Sequence, residues 1–209
     1  LINPEEVIDF GNSGTGARLI TGLVATHEIR MQVTGDSSLR KRPMGRILEP
    51  LGKMGAEVIS KSDKKMPFTL LGTTDPKPIV YELPVPSAQV KSAILLAGLN
   101  TPGITTVIES EPSRDHTELM LKTFGADLSV KVDRSGKSRI NLVGQPELTG
   151  QSIVIPGDPS SAAFAAVACL ITPDSKLIIR DIGINPLRTG LFKTLIEMGA
   201  RITFTNSRL

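Results

Sequence analysis

The sequence predicts a mixed α+β fold made of repeated βαβαββ units with buried helices, and three observations carry that prediction. First, a helix-stop signature recurs as Lys53-Met54-Gly55-Ala56-Glu57-Val58, Lys122-Thr123-Phe124-Gly125-Ala126-Asp127-Leu128 and Glu197-Met198-Gly199-Ala200-Arg201-Ile202, with its glycines 70 and 74 residues apart. Each follows apolar residues at helical spacing and precedes a β-rich run, the pattern of a helix, a left-handed glycine and a strand. Second, stretches rich in small and aliphatic residues begin at Gly14, Ser87 and Ser160, 73 and 73 residues apart. Their few charges suit helices covered on most sides. Third, β-rich runs separate the two helices of each repeat. Self-similarity at a fixed period points to one supersecondary unit repeated about a local axis.

In the first unit, a strand over residues 7–10 feeds an apolar helix over 14–25, and a strand over 29–33 follows. Ile47, Leu48 and Leu51 then mark the second helix, and residues 68–71 a later strand. Residues 79–83 read as the strand that completes this unit, and the second unit repeats the order with helix 87–98, strand 104–108, a helix marked by Leu119 and Leu121, and completing strands 128–132 and 140–143. Asp115-His116-Thr117-Glu118 fits a capping box, with Asp115 as N-cap. The third unit offers strand 153–155, helix 160–171, strand 176–180 and a helix marked by Leu191, Leu195 and Ile196. Turn residues join these elements at Lys61-Ser62-Asp63-Lys64-Lys65, Thr73-Thr74-Asp75-Pro76 and Asp133-Arg134-Ser135-Gly136. Pro156-Gly157-Asp158-Pro159 reads as a hinge before the third repeat.

Composition narrows the class. The chain has 209 residues and 22.3 kDa, is 40% hydrophobic and 22% charged, and suits a globular protein with one sizeable core or two small ones. Cys169, the lone cysteine, rules out an internal disulfide and suits a reducing, cytoplasmic setting; the apolar run around it predicts a buried thiol. The charge-free stretches 92–108 and 159–173 are broken by Pro, Gly, Asn, Thr or Ser and do not read as membrane spans. With 24 basic and 21 acidic residues, the net charge of +3 does not by itself imply nucleic acid, and the absence of Trp with a single Tyr leaves little for base stacking. The chain opens Leu1-Ile2-Asn3-Pro4 without a methionine, as an internal piece of a longer protein would.

Four loops could carry chemistry. Gly11-Asn12-Ser13-Gly14-Thr15-Gly16 lies between an apolar strand and a helix, where glycines admit a ligand to the backbone and helix-end amides favour phosphate or carboxylate. Its spacing is neither the dinucleotide fingerprint nor a P-loop, and a plain strand-to-helix turn has the same residues. In Arg40-Lys41-Arg42-Pro43-Met44-Gly45, Pro43 fits a first helical turn and would hold the Arg42 fork at the helix entrance. A solvated basic face explains the same cluster without a ligand. Pro86-Ser87-Ala88-Gln89-Val90-Lys91-Ser92 offers a hydroxyl and an amide at a helix start, where an N-cap is the ordinary role. Ser113-Arg114-Asp115-His116 stands at a matching junction, with His116 better suited to capping than to base catalysis; His27 has no supporting context. Metal-ligand clusters, a nucleophile beside a base and spaced acid pairs are all missing from the pattern.

Taken together, Gly11-Asn12-Ser13-Gly14-Thr15, Lys41-Arg42-Pro43-Met44-Gly45, Ser87-Ala88-Gln89-Val90-Lys91-Ser92, Ser113-Arg114-Asp115-His116-Thr117-Glu118 and Gly157-Asp158-Pro159-Ser160-Ser161-Ala162 resemble the 5-enolpyruvylshikimate-3-phosphate synthase family, the 3-phosphoshikimate 1-carboxyvinyltransferases. The likeness runs the whole chain in order. It implies an α-β prism of two lobes, each with three βαβαββ units, in a protein about twice this length. On that basis residues 1–155 would hold two of the three units of one lobe and 156–209 the first unit of the other. The family moves the enolpyruvyl group of phosphoenolpyruvate to the 5-hydroxyl of shikimate-3-phosphate and releases phosphate.

By this resemblance Gly14 and Arg42 are phosphoenolpyruvate contacts, Ser87, Ala88 and Gln89 form the 3-phosphoshikimate loop, and Arg114 is similar to a phosphate-binding arginine of one branch. Asn12 and Thr15 shape the first loop. The family's general base and its further lysines and arginines lie outside this stretch, so no catalytic residue is expected within it and the piece alone should be inactive. No cofactor or metal is implied, and no nucleic-acid or membrane partner. The parent is expected to be a monomer, with the isolated piece self-associating through the packing face that its missing first unit leaves open. Gly14 stands where a glyphosate-tolerant branch carries alanine, which implies a glyphosate-sensitive parent. Two rivals share these residues: the sister enolpyruvyltransferase acting on UDP-N-acetylglucosamine, which usually has a reactive loop cysteine, and a non-enzymatic anion- or RNA-binding module drawing on the sequence pI of 9.1.

Overall fold

The computed structural model describes residues 1–60 and 64–207. The chain forms two compact units, Leu1–Gly150 and Gln151–Leu209. In the first, β1 (Ile8–Asp9), α1 (Gly14–Val24), β2 (Arg30–Thr34), a short α2 (Ser37–Lys41), α3 (Gly45–Lys53), β3 (Glu57–Ser60) and β4 (Phe68–Leu71) make one repeat. The second repeat is β5 (Val80–Glu82), α4 (Ala88–Gly98), β6 (Ile104–Glu109), α5 (His116–Thr123), β7 (Leu128–Val132) and β8 (Ser138–Val143). Their sheets share one topology, β1-β2-β4-β3 and β5-β6-β8-β7. In each, the first pair is parallel (Ile8 beside Val33, Val80 beside Thr106) and the other two are antiparallel. The βαβαββ repeat is therefore present twice, but the strand expected to complete the first unit over 79–83 instead opens the second sheet as β5, and β3 with β4 completes the first. The turn expected over residues 61–65 lies partly outside the described residues.

The recurrent glycines work as helix stops. Gly55, Gly125 and Gly199 have φ of +109°, +94° and +96°, a region where an added Cβ is strained. The following alanine closes a six-to-one bond in each case: Ala56 N to Leu51 O at 3.1 Å, Ala126 N to Leu121 O at 2.9 Å and Ala200 N to Leu195 O at 2.9 Å. With the glycine N–H also bonded three residues back, all three ends are Schellman motifs, which satisfy the last helical carbonyls. A second pair of repeat glycines ends the central sheet strands. A Cβ on Gly72 would meet His27 O at 2.0 Å and one on Gly144 would meet Thr101 O at 1.6 Å, so β4 and β8 each run tight against the C-terminal end of the apolar helix of their own repeat.

One hydrophobic core spans both repeats, with Ala17, Leu39, Ile47 and Leu70 from the first and Ile94, Val107, Ile140 and Leu142 from the second. Helix α4 sits against α1, α3, β6 and β8, and its residues from Val90 to Leu95 are all buried. It meets α1 side by side. Ties between residues 18 and 89, 26 and 97, and 26 and 100 show that the two helices run parallel, so their N-termini open at the same end.

The second unit departs from expectation. It holds α6 (Pro159–Ile171) and α7 (Gly190–Glu197), but the strands expected over 153–155 and 176–180 do not form. A single parallel bridge, Gly157 to Ile182, is all that pairs there among the described residues. In the first unit each parallel pair is extended by an antiparallel partner, β4 or β8; residues 176–180 have none, and a lone parallel pair is weak. Helix α6 was expected to be buried, yet only Pro159 and Ala166 are, and Cys169 is half-buried rather than enclosed. Without a sheet to lie on, α6 leaves most of its apolar side chains exposed among the described residues, Phe164 and Ile171 among them.

Candidate anion-binding site

The chemistry expected of three of the four loops gathers where α1 and α4 begin. Ser13 caps α1 by accepting from Gly16 N at 3.0 Å, and Ser87 caps α4 by accepting from Val90 N at 3.4 Å. Two parallel helices with adjacent N-termini add their dipoles, and the free N–H groups of both first turns point the same way. Gln89 links them: its Nε2 donates to Thr15 Oγ1 at 2.6 Å, and its Oε1 accepts from Arg18 Nη1 at 2.6 Å.

Arginines surround this end. Arg18 reaches back along α1 towards Gly14 O (3.4 Å) and Pro43 O (3.5 Å), and Arg42 Nη2 donates to Asn12 Oδ1 at 3.4 Å. A Cβ added at Gly14 would lie 3.0 Å from Arg42 Nη1 and 3.1 Å from Arg18 Nη1, so both guanidiniums converge on that glycine. Burial, then the charges of Arg42 and Arg46, push the Arg18 guanidinium below its ordinary value. Among the described residues none of these three arginines forms an ion pair. Like charges held together over helix N-termini, with the exposed Asp36 carboxylate the charge that Arg42 also feels, make a site for a multiply charged anion.

Asp36 supports it from the side. It caps α2 by accepting from Leu39 N at 2.7 Å and accepts from Asn12 Nδ2 at 2.7 Å, which leaves the Asn12 carbonyl facing Arg42. The Asn12 amide, then the Leu39 N–H, hold the Asp36 carboxyl below its ordinary value of 3.8. A lowered folded-state value contributes stability above pH 3.8 that is lost as pH falls through the folded value. Asp36→Asn, whose side chain can still cap, is expected to flatten that part of the acid-unfolding curve; equal slopes for the two proteins below pH 4 would refute the assignment.

The sequence-derived residues are thus largely brought together: Asn12, Gly14, Thr15, Arg42 and Gln89 share one constellation, with Ser87 and Ala88 on the first turn beside it. Arg114 is exposed, and no bond joins it to the others among the described residues. Pro43 does not open a helix. Arg42 is extended (ψ 138°), as a residue before proline tends to be, and α3 begins only at Gly45. Glu118 does not complete the expected capping box, because its side chain turns inward to Lys91 at 2.6 Å. Arg18 was missed. Its signal was a single charge in an otherwise apolar helix, one turn after Gly14. His116 is exposed at the start of α5, and among the described residues no group of side chains could hold a metal ion. No helix among them is long and apolar enough to cross a membrane.

Known proteins match the chain over its whole length. The family model for EPSP synthase (3-phosphoshikimate 1-carboxyvinyltransferase) matches residues 1–209. The chain belongs to the EPSP synthase family. The 3-phosphoshikimate 1-carboxyvinyltransferase of Paramagnetospirillum magneticum is 57% identical over 208 residues, covering 100% of this chain and 47% of that protein. The protein of the same name from Nitrobacter winogradskyi is 59% identical over 207 residues, covering 99% and 46%. The solved EPSP synthase of Acinetobacter baumannii superposes with a TM-score of 0.83 at 45% identity, over 99% of this chain and 45% of that one. The chain therefore spans about half the length of the family members it matches, and its mixed α/β fold is the EPSP synthase fold.

Proposed function

We propose that the complete protein carrying this chain transfers the enolpyruvyl group of phosphoenolpyruvate to the 5-hydroxyl of shikimate-3-phosphate, in a cytoplasmic setting, and that this chain supplies much of its anion-binding surface. The observation that carries the reading is the set of arginines that form no ion pair among the described residues, over two parallel helix N-termini, in a chain of the EPSP synthase family. In the reaction the hydroxyl gives up its proton as its oxygen bonds to the substituted enol carbon, while the methylene carbon takes a proton and becomes a methyl group. The resulting tetrahedral intermediate then loses one methyl proton and inorganic phosphate, which restores the double bond. Both substrates are anions, and forked cations with helix-end amides are the groups that bind them. Gly14, Arg42 and Gln89 would face phosphoenolpyruvate, and Ser87, Ala88, Gln89 and Arg114 the sugar phosphate. We assign the first compact unit to two of the three repeats of one lobe and the second unit to the first repeat of the other. With no proton-transferring group assigned here, the chain alone is expected to be inactive.

The test is phosphate release by the complete protein with both substrates, with and without glyphosate. Turnover that glyphosate inhibits is expected, since Gly14 presents no methyl group. Gly14→Ala places a Cβ about 3 Å from two guanidinium nitrogens, both at the far ends of flexible side chains. The fold should tolerate it, with inhibition weakened by tenfold or more, about 1.4 kcal/mol of binding. Absence of turnover overturns the reading; inhibition unchanged by Gly14→Ala overturns the role given to Gly14.

A further inference from the structure

One buried ionic cluster is left unused by the proposed reaction. Lys91, in the first turn of α4, is 1% exposed; its Nζ lies 2.9 Å from Glu109 Oε2 at the end of β6 and 2.6 Å from Glu118 Oε1 in α5. The same Nζ donates to Ser113 O at 3.4 Å, and Ser113 Oγ donates to Glu109 Oε1. Beside it the hydroxyls of Ser92 and Thr117 lie 2.6 Å apart. Glu118 Oε2 is buried with no hydrogen-bond partner, and burial holds the Glu118 carboxyl above its ordinary range.

Stability does not account for this cluster. Two carboxylates and one ammonium are enclosed together, one carboxylate oxygen is unsatisfied, and apolar side chains of similar volume in such places are often neutral or stabilising. What the cluster does is geometric. It ties both the carbonyl and the hydroxyl of Ser113 to α4 and β6, and so fixes the segment between β6 and α5 that carries Arg114. Arg114 itself is exposed, so its placement depends on the backbone one residue away.

We propose that Lys91, Glu109 and Glu118 are positioning residues that hold the Arg114 segment against α4, so that a phosphate monoester is bound jointly by Arg114 and the Ser87-Ala88-Gln89 turn. The proposal rests on the functional reading above for its ligand, and on the structure alone for its loop. Lys91→Met, Glu109→Met and Glu118→Met are combined in the complete protein, and Ser113→Ala is made separately, since it cuts one tie without emptying the core. Amide hydrogen exchange over residues 110–116 is measured with KM for each substrate and kcat.

The triple variant is expected to keep its unfolding midpoint, to exchange at least about tenfold faster over 110–116 than the wild type, and to raise KM for shikimate-3-phosphate about tenfold or more while KM for phosphoenolpyruvate moves less than about threefold. Ser113→Ala should show the same pattern more weakly. Unchanged exchange and unchanged KM in both variants would overturn the proposal, as would a triple variant that unfolds while Ser113→Ala behaves as wild type. If the wild type turns over neither substrate, the functional reading fails, and exchange over 110–116 alone decides whether the cluster orders the segment.

Discussion

Gly22→Ala is expected to lower the stability of the complete protein by roughly 1–3 kcal/mol, a large effect for one methyl group. The added Cβ would lie 2.3 Å from Ala93 O, 2.6 Å from Ala93 Cα and 2.8 Å from Ala93 C. Those atoms belong to the backbone of α4 and cannot swing aside as a side-chain tip can, so α1 and α4 must separate. Their separation would strain the bonds that tie them, Thr26 Oγ1 to Ala97 O and the Arg18–Gln89–Thr15 chain. Loss of stability should therefore come with weaker anion binding at the shared end. Gly52→Ala is the control: nothing lies within 4 Å of its Cβ, its backbone is helical, and alanine is the better helix former by about 0.5–1 kcal/mol. Denaturant unfolding should place the two variants on opposite sides of the wild type. Coincident midpoints for Gly22→Ala and wild type would mean that the helices do not pack as described.

The Gly22–Ala93 contact also marks how far the sequence could be read. The period of the repeat and its helix stops were legible because they are local: a glycine at φ near +100° after an apolar helix leaves the same trace each time. Residues 68–71 and 128–132 coincide with the observed strands residue for residue. What escaped depends on contacts between distant residues. The short α2 went unseen because its cap, Asp36, also serves Asn12 some 24 residues away, and Pro43 then drew the expected helix start to the wrong place. The strands over 153–155 and 176–180 were read from β-rich composition, but composition supplies no partner.

The site divides in the same way. Glycine-rich and arginine-rich loops announced an anion, because the residue types themselves carry that chemistry. Arg18 and Lys91 did not stand out, since each is one charge in an apolar helix whose purpose appears only across the fold. Arg18 meets Gln89 from the other repeat, and Lys91 meets carboxylates 18 and 27 residues downstream. Glu118 was read as a cap because Asp115 stands three residues before it, while the tertiary ion pair took the side chain instead. A lone charge inside an apolar helix is thus the trace that a tertiary partner leaves in this sequence.

Arg42→Met in the complete protein is expected to weaken phosphoenolpyruvate binding roughly 10- to 100-fold. Its guanidinium is exposed, its hydrogen bond to Asn12 is a long one, and among the described residues it feels the Asp36 carboxylate without forming an ion pair. An anion is the partner that would complete it, and a hydrogen bond to a charged group is worth about 1.5–3 kcal/mol. Stability should hardly change, because little burial is lost and the repulsion felt by Arg18 is relieved. Arg42→Lys keeps the charge but loses the fork, so its affinity should fall between the two. Arg40→Met supplies the control of equal charge. Arg40 Nε is taken up by Gly35 O at 2.7 Å, which makes it part of the loop rather than a donor for ligand, and its loss should cost less than about threefold in affinity. Titration of phosphoenolpyruvate into the three variants separates the cases. Equal losses for Arg40→Met and Arg42→Met would mean that only net charge matters and that no anion is gripped at Gly14. A loss confined to Arg42 would make the convergence of two guanidiniums on that glycine the source of the affinity.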